Sequence, residues 1–441
     1  MATPQNLSPI NVQVNRICFN RDGRFTRTSR GWTDGGGAVS LRGIQTQYWS
    51  PARSAVTRVE RIDSRNVFET SSTDGMTRLG TSVIFYSILF PTVGTDGKMT
   101  IHVGLIGGGN ITETHARAVH EIPGAKVVAV YGTNSEKVKR LSQGHGAQAF
   151  GHFEAFLAHR PMEVVILGSP SGLHATQGIA AIKNGLHVLT EKPIDINCER
   201  ADALIKAAEE GGLKLGVIFQ DRTKPQIKQL KEWIDRGVVG KPLVVDASVK
   251  WYRPPEYYNT SRWRGTLSLD GGGALINQAI HTVDLLLWLF GDVTRVQACM
   301  TRALHSIEAE DTAMAIFEFA SGALGTLRAT TAAYPGYPRR VEVTGSEGTV
   351  ILEQDRIVAA NLRHAPAGGL VPSKPDANLS ASSAVVSDVS GHRAVFEDFF
   401  RAVQGHGAPA CDGREGRRSL ALVEETYRAA RNSQYFGEPQ H

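Results

Sequence analysis

Cysteine is scarce in this sequence, and its four copies are scattered. Cys18, Cys198, Cys299 and Cys411 stand far apart, and none has the C-x-x-C spacing of a zinc or redox site. No disulfide framework and no metal site are expected, and a reducing cytoplasm fits best. Long apolar runs are also missing. The nearest candidate for a membrane span, residues 82–93, falls short of the roughly 18 residues needed and contains Pro91. No membrane attachment is expected, and no internal repeat is visible. Charge of one sign is lacking over most of the chain. Residues 1–98 carry 12 Lys or Arg against 7 Asp or Glu, which accounts for the whole net charge of +5. The remainder is balanced, so nucleic acid is not an expected partner.

Residues 1–98 lack any sustained period of 3.6 or 2, and they are rich in Arg, Ser, Thr and Gly. Three readings stay open: a disordered extension, a targeting segment, or a translation start placed too far upstream. The last is favoured, because Met99 stands directly before a strand of the kind that opens a nucleotide-binding domain. A transit peptide avoids acids, and this segment contains seven.

From Thr100 the pattern changes. Ile101–Ile106, Lys126–Tyr131, Glu163–Leu167, His187–Thr190 and Lys214–Phe219 read as strands. Helical patterns near 112–120, 136–143, 175–184 and 199–210 alternate with them. Strands and helices alternating at this spacing imply an α/β domain with a parallel doubly wound sheet, over residues 99–220. After Phe219 the pattern changes again. A continuous helix is expected at Ala274–Phe290. Hairpins are expected at 312–319 with 323–331, and at 340–344 with 349–353. Residues 365–390 read as a Pro/Ser/Ala-rich loop, and two helices close the chain. Residues 221–441 therefore read as a separate α+β domain with an antiparallel sheet.

Gly107-x-Gly109-x-x-Thr112 follows the first strand and opens a helix. Gly107 permits a tight turn. Gly109 lets backbone N–H groups approach a pyrophosphate at the helix N-terminus, with Asn110 and Ile111 as further cofactor-binding candidates. Thr112 departs from the Gly or Ala usual at the third position. The tip of the second strand, Tyr131 to Ser135, has no acid to accept the 2′-hydroxyl of NAD. Thr133 and Ser135, with Lys137 and Arg140, suit a 2′-phosphate. NAD or NADP is the expected cofactor, with a lean to NADP. The alternative is that Lys137 and Arg140 form a plain solvated helix face.

Glu191-Lys192-Pro193 ends a strand on the carboxyl edge, where doubly wound sheets bind ligands. Pro193 biases Lys192 towards an extended conformation. An ammonium group fixed there can stabilise negative charge on a substrate oxygen; alone, a solvated Lys would be the default. Asn277, His281, Asp284 and Trp288 share one face of the expected 274–290 helix. His281 there can take a proton from a substrate hydroxyl. The competing reading is a core His satisfied by Asp284. Trp251, Tyr252, Arg253, Tyr258, Trp263 and Arg264 form an aromatic and basic stretch suited to a sugar, or to packing between domains.

Residues 100–432 resemble the glucose–fructose oxidoreductase / inositol dehydrogenase / MocA family. The matching stretches are Val103–Ile111, Ser169–His174, Thr190–Pro193, Gly271–Asp284 and Asp412–Arg418. The resemblance implies a Rossmann domain followed by an open, mostly antiparallel sheet that often mediates homo-oligomers. It implies NAD(P)-linked chemistry on a sugar, cyclitol or derivative. Pro170, His174 and Glu191 fall in its nucleotide-side motifs. It gives Lys192 the role of orienting substrate and His281 that of acid/base. Many relatives carry Asp where this chain has Asn277, which keeps hydrogen bonding but no charge. Two other functions stay open: a glycoside-cleaving enzyme that uses bound nucleotide transiently, and a non-catalytic nucleotide or sugar sensor.

Overall fold

The computed structural model describes residues 100–364 and 388–432. It adds two short antiparallel pairs earlier in the chain, Cys18–Phe19 with Phe25–Thr26 and Thr57–Glu60 with Phe85–Ile88. The reading of residues 1–98 as an extension, and most of the 365–390 loop, otherwise lie outside the described residues.

Six strands make the first sheet: β1 (Ile101–Ile106), β2 (Ala125–Tyr131), β3 (Gln148–Phe150), β4 (Val164–Leu167), β5 (His187–Thr190) and β6 (Leu215–Val217). Their order is β6-β5-β4-β1-β2-β3, and every pairing is parallel. The helices α1 (Asn110–His120), α2 (Ser135–His145), α3 (Phe153–Leu157), α4 (His174–Lys183) and α5 (Cys198–Glu210) connect them. All four residues of β4 are buried, because helices cover both sheet faces. The strand order reverses between β1 and β4, which opens a crevice at their carboxyl ends.

The second domain begins with α6 (Pro225–Asp235), β7 (Pro242–Lys250) and α7 (Pro255–Asn259). A π-helical turn, Ala274–Ala279, then runs into α8 (Ile280–Phe290). The strands β8 (Val293–Thr301), β9 (Thr312–Phe319), β10 (Leu324–Thr330), β11 (Arg340–Gly345), β12 (Gly348–Glu353) and β13 (Arg356–Leu362) follow. Their sheet runs β8-β9-β10-β7-β11-β12-β13, and only the β7–β10 pairing is parallel. Burial alternates along β9, where Ala313, Ala315 and Phe317 face inward and Met314 and Ile316 face outward. No helix among the described residues is long and apolar enough to cross a membrane.

The last helices return to the first domain. In α9 (Ser390–Val403), Phe396, Phe399 and Phe400 join a core with Val103, Leu105, Val127 and Ile166. Just before α10 (Gly413–Arg431), the N–H of Val217 donates to the carbonyl of Cys411 at 3.0 Å, and Asp412 bridges Gly216. The free edge of the first sheet is therefore covered from the far end of the chain.

Three features differ from expectation. The strands β3, β8 and β13 were not expected; β8 is an edge strand whose burial does not alternate cleanly, so its sequence lacks a period of 2. Residues 274–290 are not one regular α-helix, because the first six form a π turn. The helices α1 and α2 begin one or two residues earlier than the apolar pattern suggests, since solvated first turns carry no apolar signal.

Candidate active site

The turn after β1 has a shape that glycine alone supplies. Gly107 has φ +133°, and a Cβ there would lie 2.7 Å from the carbonyl oxygen of Gly168. A Cβ on Gly109 would meet nothing within 4 Å, so the space in front of α1 is open. No side chain caps that helix start, and its first N–H groups remain available to an anion. Thr112 departs from Gly or Ala at no steric cost. Its hydroxyl is fully buried against Gly107 and Gly168, neither of which has a Cβ. These residues fit a dinucleotide pyrophosphate. Asn110 is exposed and Ile111 half-buried at the helix start. Thr133, Ser135 and Lys137 are exposed at the tip of β2, where Asn134 caps α2 through the N–H of Lys137.

Glu191 is turned inward rather than towards the crevice. It accepts a hydrogen bond from His115 Nε2 of α1 at 2.9 Å, and His392 Nε2 of α9 lies 3.7 Å from the same oxygen. Burial pulls the pKa of His115 down, so it is a neutral donor here. Burial pushes the Glu191 carboxyl up, but the hydrogen bond from His115 and the nearby His392 ring outweigh that and hold it well below the usual carboxylate range. His174 is equally internal, with one ring nitrogen 2.8 Å from the carbonyl oxygen of Pro193 and the other 3.0 Å from that of Ser169. It ties the loop holding Pro170 to the end of β5. Glu191 and His174 thus shape the cradle from behind. The Lys192–Pro193 bond is cis.

Lys192 is half-buried and its Nζ donates to the carbonyl oxygen of Asn277 at 2.8 Å. That oxygen lies in the π turn, where the regular i→i+4 ladder is interrupted. Burial lowers the pKa of Lys192, opposed by the charges of Glu191, Asp270 and Asp221. It is therefore not a solvated surface lysine.

His281 sits at the start of α8, with 13% of its side chain exposed. It is not satisfied by Asp284. Asp284 instead takes a bidentate pair from Arg222, at 2.8 and 2.6 Å, and a bond from Ser419. The carboxylate facing His281 is Asp221, whose Oδ2 lies 3.9 Å from the buried Nδ1. That geometry leaves Nε2 as the ring nitrogen for the crevice. Asp221 lies in the short 3-10 turn Gln220–Thr223 that follows β6, and is held by Arg339 at 2.6 Å and Lys224 at 2.9 Å. Burial pushes the Asp221 carboxyl up, but those two cations outweigh it and hold it well below the usual range. Burial also pulls His281 down to about 3, so its imidazole is neutral across the physiological range and keeps one ring nitrogen with a free lone pair.

The aromatic stretch divides into wall and scaffold. Arg264 stacks 4.1 Å from the Tyr257 ring and 5.6 Å from that of Trp263, and Arg253 lies 5.0 Å from Trp251. Arg253 also donates to Gln278 at 3.0 Å, which brings it to the π turn. Tyr258 is internal, its hydroxyl 2.8 Å from that of Thr331. Tyr252 pairs with Ala332 and packs edge-on to Tyr334. Asp221, Arg339 and Asp270 were not singled out in the sequence and carry no local signal. Gln278 stood within the Gly271–Asp284 motif and Tyr257 within the aromatic stretch from Trp251 to Tyr258.

A pyrophosphate cradle whose neighbouring edge holds a buried ammonium and a neutral imidazole defines a nicotinamide-dependent oxidoreductase. The comparisons agree. Residues 101–219 match the family profile described as oxidoreductase family, NAD-binding Rossmann fold, and residues 227–351 match the GFO/IDH/MocA C-terminal domain. The WlbA dehydrogenase of Bordetella pertussis, solved with NADH and UDP-GlcNAcA, is 33% identical; the match covers 76% of this chain and 96% of that one, with a TM-score of 0.68. The 1,5-anhydro-D-fructose reductase of Ensifer adhaerens is 26% identical over 75% of this chain and 96% of its own length. The inositol 2-dehydrogenase of Rhizobium meliloti is also 26% identical, over 75% and 97%. The chain belongs to the GFO/IDH/MocA family of NAD-dependent oxidoreductases, on which the sequence resemblance converged.

Proposed function

We propose that this enzyme oxidises or reduces a CH–OH group of a sugar, cyclitol or sugar derivative, with Lys192 orienting the substrate oxygen and His281 moving its proton. The carrying observation is that Lys192 Nζ is fixed on the carbonyl of Asn277, four residues before His281, where its charge acts on a neutral His281 that faces Asp221. Bound nicotinamide supplies the hydride acceptor or donor. In the oxidative direction, the Lys192 ammonium stabilises the oxygen as it loses its proton, and His281 Nε2 receives that proton. The imidazolium so formed is stabilised by Asp221. Trp251, Trp263, Arg253 and Arg264 line the substrate side, where Asn277 offers a neutral amide.

The acid-free tip of β2 and the exposed Lys137 support use of both dinucleotides. The test is a panel of sugars, cyclitols, sugar acids and nucleotide-linked sugars, the last included because of the UDP-GlcNAcA in the Bordetella relative. Reduced nicotinamide is followed with NAD and NADP in parallel. Turnover is expected with at least one substrate, with the two cofactors within about tenfold, or ~1.4 kcal/mol. No turnover across the panel, or aglycone release without reduced nicotinamide, overturns the reading; a larger gap between the cofactors overturns dual use alone.

Val244, Met314, Ile316 and Leu324 are each more than 40% exposed, and the pairing register sets them on one face of the second sheet. Exposed apolar groups on adjoining strands support homo-oligomerisation through that face. Sedimentation is expected to give an oligomer, and Ile316→Glu a smaller species. A monomeric wild type sinks this reading.

A further inference from the structure

Asp270 is 2% exposed and sits one residue before the glycine run. One carboxylate oxygen accepts the N–H of Gly265 at 2.8 Å, and the other accepts the amide Nδ2 of Asn277. The amide bonds continue from there. Asn277 Oδ1 accepts from Gln278 Nε2 at 2.9 Å, and Gln278 Oε1 accepts from Arg253 Nη2 at 3.0 Å. Gln278 Nε2 also donates to the Tyr257 hydroxyl at 3.0 Å. The line has one direction, from a guanidinium at one end to a carboxylate at the other. Reversing either amide would set donor against donor or acceptor against acceptor, so the terminal charges fix both orientations.

Asp270 forms no ion pair within 4 Å among the described residues, although it is buried. Such a carboxylate is costly to keep ionised. The charged and titratable groups around it are Lys192, Arg264 and Tyr258. Its negative charge opposes the loss of the Lys192 proton that burial favours. Asn277, the neutral residue beside Lys192, therefore has a carboxylate directly behind it.

We propose that Asp270 is a positioning residue of this active site, locking the Asn277 amide in one orientation and holding Lys192 in its charged form. The inference rests on the oxidoreductase reading for its kinetic consequence, but not for its chemistry. Burial pushes the Asp270 carboxyl up to about 6, against the Gly265 and Asn277 bonds and the charges of Lys192 and Arg264. The sign follows. A raised folded pKa means that the ionised form weakens the fold above about pH 6, and that stability is regained as pH falls from there towards the unfolded value. An aspartate whose pKa is lowered by an ion pair would behave in the opposite way.

Asp270→Asn preserves shape and removes charge. It is expected to lower kcat roughly 10- to 100-fold, through misplacement of Asn277 and Lys192, with KM and NADH affinity little changed. Its thermal midpoint should equal or exceed that of the wild type at pH 8, and the difference should shrink at pH 5. The wild-type profile of kcat/KM should show an acid limb near pH 6, which the variant lacks. The other buried acid in this range is Glu310, pushed up to about 7 by burial. The limb should persist in Glu310→Gln. A variant with wild-type kcat and an unchanged limb overturns the proposal. Carbon-13 NMR titration of aspartate-labelled protein decides the matter without turnover. Lys192→Met should raise the Asp270 titration, and an unmoved titration overturns the proposal. If the wild type turns over nothing, the functional reading falls, and the titration still decides the role of Asp270. The same holds if Asp270→Asn fails to fold.

Discussion

Replacing Lys192 by methionine is expected to lower kcat by about 10²- to 10³-fold, the usual cost of removing a donor aimed at developing negative charge. NADH should still bind, because the cradle is made by Gly107, Gly109 and the start of α1, none of which touches the Lys192 ammonium. Methionine keeps the length and apolar body of the side chain, so the pocket stays filled. The lost bond leaves the Asn277 carbonyl oxygen without that donor and should cost about 1–3 kcal/mol of stability. Fluorescence titration with NADH, beside steady-state kinetics on the best panel substrate, checks both halves. Wild-type kcat in this variant would remove Lys192 from the chemistry.

His281→Gln should lower kcat by roughly 10²- to 10⁴-fold, the span of a positioned acid/base. Glutamine retains a polar tip and cannot take the proton. Its pH behaviour supplies an independent check. The His281 pKa is about 3 when folded, against 6.5 for the free side chain, so the unfolded chain takes up the proton first. Stability from this group is complete above about pH 6.5 and falls as pH drops towards 3. The variant should lose that part of the acid sensitivity, seen as a smaller fall in thermal midpoint between pH 7 and pH 4. Undiminished kcat, or an identical acid profile, would count against a buried neutral His281.

How much of this was legible in the sequence depended on distance along the chain. The glycine turn was legible because strand, turn and helix start are contiguous. The hairpins around Ser321-Gly322 and Ser346–Gly348 were legible for the same reason. Lys192 and His281 stood out because each lies in a compact motif. Their partners did not. Asp221 lies 60 positions before His281, Arg222 lies 62 before Asp284, and His115 lies 76 before Glu191. Only the fold brings these pairs together, and each buried acid or base reads as an ordinary polar residue on its own. Asp284 shows the limit: sequence spacing placed it on the His281 face, whereas a bidentate guanidinium claimed it. The π turn was invisible because the side chains of Ala274–Ala279 suit either ladder.

The order of synthesis carries a consequence of the way α9 packs. The strands of the nucleotide domain are complete at Val217, yet the aromatic residues that close their core lie between Phe396 and Phe400. At roughly 5–20 residues per second, the ribosome needs on the order of ten to forty seconds to make the stretch between them. During that interval the nascent sheet has its strand order but lacks one apolar cover and an edge partner. The first domain to emerge is thus among the last to be finished, and its solubility in that window depends on whatever occupies the place of α9.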